Sequence, residues 1–233
     1  MSQQQVLNLK IPDSWDFDTL IPGANAAVLG QLRAAAAKLP HEFYLIFGAH
    51  GCGKSHVLCA LASELQRAGR HCFFLDLARA VGLSPELLDA GAPEAALLDN
   101  VDAVAGNPEW ELALFAFFNR WYDRRHGLLI LSSTASFDAI PYLRADLNSR
   151  LGSGIMLPLE PLDEAGCAEA LRRRAAARGF KLPRGTCEYL VRRCGRYMPE
   201  LAAILDRLDE EQLRLPHVLT IPFVKKVLGW ESQ

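Results

Sequence analysis

The chain has 233 residues, half of them hydrophobic, and a formal net charge of −2. That suffices for one good-sized core and a small second lobe, and it excludes attraction to nucleic acid through a global basic field. Six cysteines form neither C-x-x-C nor a zinc-finger spacing, so they read as separate thiols of a reducing compartment.

The N-terminus is polar and no apolar run approaches ~20 residues, so the expectation is a cytoplasmic protein with no signal peptide or membrane span. Residues 1–11 form a polar tail whose alternation over Val6–Ile11 fits an edge strand or a linear peptide that adds itself to another protein. Trp15–Gly23 is too rich in Asp and Pro for a regular element, and its apolar residues need cover. Asn25 is predicted to cap a helix over roughly Ala26–Leu39, stopped by Pro40.

Phe43–Phe47 is short and wholly apolar, as a buried strand is. It runs into Gly48-Ala49-His50-Gly51-Cys52-Gly53-Lys54-Ser55, which fills G-x-x-x-x-G-K-[ST] at every fixed position. Val57, Leu58, Leu61 and Leu65 then recur at helical spacing. A strand, a glycine-rich loop and a helix in this order make a P-loop. The glycines let backbone N–H groups crowd round a phosphate chain, and the helix points its positive end at the same anion. Lys54 would reach the β- and γ-phosphates and Ser55 would hold Mg²⁺. Gly48, His50, Gly51, Cys52, Gly53, Lys54, Ser55 and His56 are therefore the candidate nucleotide site, for ADP or ATP.

Cys72–Leu77 reads as a second strand, and Ser84 caps a short helix opened by Pro85. Ala95–Asp99 is a third strand ending in an acid, the Walker B arrangement, so Asp99 joins the site as a Mg²⁺ holder. Glu109–Arg125 carries Trp110, Leu114, Phe117, Phe118 and Trp121 on one stripe, which is core packing rather than a base-stacking platform. Gly127–Leu131 is a fourth strand, a helix follows Pro141 within Asp138–Arg150, and a fifth strand begins in Gly152–Leu157. Strands alternating with helices predict a parallel α/β sheet with ligands at the strand carboxyl ends.

From Pro161 the pattern is purely helical: Asp163–Arg178, Pro183–Cys194, Met198–Leu208 and Ile221–Leu228. Arg172-Arg173-Arg174 and Arg192-Arg193 read as solvated helix faces. The predicted layout is a tail (1–11), an AAA+ P-loop domain (12–160) and a small all-α lid (161–233).

Several segments then agree with one family. Asp99-Asn100-Val101, Ala105-Gly106, Trp110 and Phe115 through Asn119-Arg120 resemble the middle of the Hda family of DnaA-related AAA+ regulators. Ala145-Asp146-Leu147-Asn148-Ser149-Arg150-Leu151 is similar to its arginine-finger segment. Arg178–Pro183 and Leu219–Lys225 are similar to its lid and C-terminal end, and Gln4–Leu9 to its sliding-clamp-binding hexapeptide, with Gln5 where Leu is usual.

The resemblance implies a regulator of replication initiation that is tethered to the DNA polymerase sliding clamp through Gln4, Leu7 and Leu9. It would bind ADP and drive ATP hydrolysis by DnaA, with Arg150 as a finger given in trans. A homodimer is left open. The departures are specific. Lys54 is present where some family members carry Arg, and Asn100 replaces the acid that orients water, so this chain's own hydrolysis is expected to be weak. Ser133 stands at the sensor-1 position without a charge. Pro199 stands where the sensor-2 arginine belongs, and in that slot it is predicted to start a helix.

Two other readings need features of their own. A DnaA-like or helicase-loader-like ATPase acting directly at the origin would need a DNA-binding domain or basic stripe, and neither is expected here. A small-molecule P-loop kinase would need a substrate acid or arginine and a mobile cover, which the helical C-terminal third does not suggest.

Overall fold

The structure is a computed structural model that describes residues 15–89, 91–214 and 218–230. The tail residues Gln4, Leu7 and Leu9, and the strand-or-peptide reading of Val6–Ile11, lie outside the described residues.

Five strands, β1 (Phe43–Phe47), β2 (Cys72–Asp76), β3 (Ala95–Asp99), β4 (Leu128–Ser133) and β5 (Ile155–Pro158), form one parallel sheet in the order β2-β3-β4-β1-β5. Around it lie α1 (Ala26–Lys38), α2 (Lys54–Arg67), the short α3 (Leu77–Ala80), α4 (Pro108–Arg124) and α5 (Ala145–Leu151). Then come α6 (Glu164–Ala177), α7 (Arg184–Cys194), α8 (Met198–Arg214) and α9 (Ile221–Leu228), with no strand between them among the described residues.

The near-continuous apolar strands follow from burial on both faces. Successive side chains alternate sides. Phe43, Leu45, Ala96, Leu98, Leu129 and Leu131 face α4, whose stripe of Trp110, Leu114, Phe117, Phe118 and Trp121 is buried against them. Tyr44, Ile46, Leu97, Leu128 and Ile130 face α1 and α2 through Leu29, Leu32, Leu58 and Leu61. Each such leucine stabilises the fold by about 1.5–3 kcal/mol when fully buried. The lid has its own core of Leu171, Leu190, Leu201, Leu205 and Val224, against which Ile21 and Leu162 also pack.

Three local expectations give way. Asn25 makes no capping hydrogen bond. Its side chain instead donates to the Glu160 carbonyl at 2.8 Å and accepts from the Glu160 N–H at 2.8 Å, pinning the start of α1 to the chain leaving β5. Arg174 is not on a solvated face. Arg172 and Arg173 pair with Glu169, whereas Arg174 turns inward over Trp15, its Cζ 5.6 Å from the ring centroid. The second strand also stops one residue early, because Asp76 accepts from the Ala78 N–H and starts α3.

In this order the chain leaves β1 toward β2 on one side and leaves β4 toward β5 on the other, so the connections diverge between the neighbouring strands β1 and β4. Ligands of open α/β sheets sit in the crevice at such a switch point. The P-loop is the segment that follows β1.

Candidate nucleotide site

Glycine is needed at three places in the loop: a Cβ on Gly48 would lie 2.3 Å from the Leu159 carbonyl oxygen. Gly51 and Gly53 have φ of +83° and +107°, a region that side-chain-bearing residues rarely adopt. A Cβ on Gly51 would also meet Pro199 Cδ at 2.8 Å. Gly53 immediately precedes α2, which presents its N-terminal N–H groups to the loop.

Lys54 is buried, and among the described residues it has no carboxylate partner. Its Nζ donates to the carbonyls of Gly48 (2.7 Å) and Ala49 (3.1 Å) and lies 3.9 Å from Cys52 Sγ. A buried ammonium held mainly by loop carbonyls is the cation an anion would recruit.

Asp99 is 1% exposed at the end of β3. Burial raises its pKa, opposed by hydrogen bonds from Ser132 and Ser55. A carboxylate kept in place by two hydroxyls, one of them from the P-loop, is a sound donor set for a hard cation that keeps its waters. Among the described residues no three His, Cys, Asp or Glu side chains gather into a metal-binding group, so such an ion would depend on Ser55, Asp99 and phosphate oxygens.

Ser132, rather than Ser133, is the β4 residue that reaches this point. Its hydroxyl donates to Asp99 and accepts from the Asn100 N–H at 2.9 Å, while the Ser133 hydroxyl donates to the Ala135 carbonyl. Leu98 is opposite Leu131, which sets Ser132 beside Asp99; strand parity was the signal that would have found it. A second residue the sequence reading passed over is Asp76. It lies opposite Asp99 across β2 and β3 and accepts from Asn100 Nδ2 at 2.9 Å. It carries the same signal as Asp99, an acid ending an apolar strand.

The His56 ring is used away from the loop. It is buried, with Nε2 3.2 Å from Thr19 Oγ1 and 3.1 Å from the Asp16 carbonyl, and Nδ1 3.2 Å from Arg174 Nη2. It thus ties the P-loop helix to the Trp15–Thr19 segment and to the lid. Burial, and then the Arg174 charge, push its pKa down to about 4. His50, by contrast, is exposed and shares a 2.7 Å hydrogen bond with Tyr197 at the entrance of α8.

Residues 163–228 match the family model for the lid domain of Hda. Domain III of the Thermotoga maritima replication initiation protein DnaA superposes with a TM-score of 0.78 at 18% identity, over 94% of this chain and 97% of that one. The chain has the fold of DnaA domain III, and its residues 163–228 match the Hda lid domain. AMPPCP-bound DnaA from Aquifex aeolicus gives 0.66 at 18% identity, covering 87% of this chain and 67% of that one. The Thermotoga maritima RuvB Holliday junction branch migration motor gives 0.63 at 18% identity, with the same coverage of 87% and 67%.

The arginine-finger candidate lies on the surface. Arg150 is exposed at the end of α5, and its Cζ rests 5.3 Å from the ring centroid of Tyr122, itself 52% exposed. No ion pair ties it to a carboxylate among the described residues. Pro199 is the second residue of α8, as a helix-starting proline should be, and it packs on Gly51 of the P-loop. No helix among the described residues is long and apolar enough to cross a membrane.

Proposed function

We propose that this chain is a nucleotide-binding adaptor that stimulates ATP hydrolysis by DnaA and so switches the initiator off, working while tethered to the sliding clamp. ADP is the resident nucleotide in this reading. The observation that carries it is Arg150: an exposed guanidinium, propped on Tyr122 and free of any acid among the described residues, on a protein with an Hda lid.

Each residue has a role in that account. Lys54 swings from the Gly48 and Ala49 carbonyls to the phosphates, and the loop N–H groups bind their oxygens. Ser55 and Asp99 hold Mg²⁺, which neutralises phosphate charge when bound. Asn100 cannot take a proton from water, so the chain itself turns ATP over slowly. Arg150, given across the interface, stabilises charge developing on the partner's γ-phosphate oxygens, an effect typically worth ~10³–10⁵ in rate. The tail residues Gln4, Leu7 and Leu9 supply the clamp contact.

The test is direct. The nucleotide that copurifies should be ADP, and adding the chain to DnaA, clamp and DNA should speed ATP hydrolysis. A chain that carries no nucleotide and leaves that rate unchanged would refute the adaptor reading.

A further inference from the structure

Asn100 reads from the sequence as a lost catalytic acid, but the structure gives it a partner. Its Nδ2 donates to Asp76 Oδ1 at 2.9 Å, and its backbone N–H donates to Ser132 Oγ at 2.9 Å. Its φ of +55° lies in the left-handed region, which Asn and Asp tolerate better than larger residues. Asp76 also accepts from the Ala78 N–H at 3.1 Å and forms an ion pair with Arg79 at 3.2 Å. Its carboxylate is therefore already held by three groups besides its sheet neighbours.

An acid at position 100 would point a carboxylate oxygen at Asp76 where the amide now donates, with Asp99 paired opposite Asp76 in the sheet. Three carboxylates there would repel one another in a partly buried site. The amide at 100 and the acid at 76 are complementary: the negative charge stands at the end of β2 and the amide at the end of β3.

We propose that Asp76 is a positioning residue that makes Asn100 the water-orienting group of this site. With Nδ2 committed to Asp76, Asn100 Oδ1 is left to accept from a water, as a glutamine does in some nucleotide hydrolases. In the hydrolysis it serves, the water oxygen bonds to the γ-phosphorus and the bridge bond to the β-phosphate oxygen breaks. ADP leaves with that electron pair, and the water proton passes to the phosphate product or solvent. An amide aligns this water without taking its proton, so turnover is slow but real. The inference rests on the nucleotide-binding reading above.

The experiment combines calorimetry with ATP and single-turnover ATP hydrolysis for the full chain and for D76N, N100A, N100D and the isosteric swap D76N/N100D. Expected is a loss of about tenfold in hydrolysis for D76N and N100A, the scale of one lost hydrogen bond, with ATP affinity within about twofold. N100D should be no faster than the wild type. The swap, which rebuilds the same hydrogen bond reversed, should recover at least the wild-type rate, a non-additivity that a merely structural role does not give.

D76N and N100A both unchanged, N100D faster by itself, or a swap equal to the product of the single effects would overturn it. So would a wild type that binds ATP without any turnover. A wild type that binds no nucleotide removes the underlying reading as well, and calorimetry separates that failure from the others.

Discussion

The hydroxyl of Tyr197, at the entrance of lid helix α8, lies 2.7 Å from Nδ1 of His50 in the P-loop. With Pro199 packed on Gly51, this holds the start of α8 against the P-loop. The pair is exposed, so its net worth is about 1 kcal/mol or less. Tyr197→Phe should speed ADP dissociation about threefold and leave the melting temperature nearly unchanged. Stopped-flow release of a fluorescent ADP analogue checks it; no change would mean that the contact does not hold the lid down.

Asn25 offers a test of local structure against tertiary structure. If it were a helix cap, Asn25→Ser would be almost neutral. Because its amide pairs with both backbone groups of Glu160, serine should fail to replace it. Both Asn25→Ser and Asn25→Ala should cost about 1–3 kcal/mol, read as a lower urea midpoint.

The legible parts of this chain were those whose signal is local. The P-loop, the β3 acid, the aromatic stripe of α4 and the helical lid each declare themselves within a few residues, and each stands where the sequence reading put it. What escaped depends on pairing at long range. Asp76 comes to lie beside Asp99 and Asn100 only because β2 sits next to β3, and Ser132 reaches Asp99 only because of the β3–β4 register. Arg174 looked like one of three equal arginines; its inward turn depends on His56 and Trp15, far away in sequence. Tyr197 carried no motif at all.

His56 should give the protein a distinctive response to acid. Its ring titrates near 6.5 when unfolded and near 4 in the fold, held down first by burial and then by Arg174. The unfolded state therefore binds more protons between those values. Stability is complete above about pH 6.5 and is lost as the pH falls toward 4, by up to about 3 kcal/mol. Denaturant titrations at pH 7, 5.5 and 4.5 should show this fall, and His56→Gln should flatten it. An equal fall in the variant would assign the effect to other groups.

Lys54 has loop carbonyls as its main partners, so Lys54→Ala should fold normally yet lose nucleotide binding, by at least about a hundredfold in ADP affinity. Calorimetry at constant Mg²⁺ decides it. Unchanged affinity would remove the lysine from the site.

Arg150 carries the central claim. Among the described residues it pairs with no acid, so Arg150→Ala removes only an exposed contact with Tyr122 and should change stability by less than about 0.5 kcal/mol. The measurement is the rate of ATP hydrolysis by DnaA with clamp and DNA, with the wild-type chain or with Arg150→Ala added. The account predicts that the variant stimulates at least about a hundredfold less while binding ADP and clamp as the wild type does. Full stimulation by Arg150→Ala would contradict it.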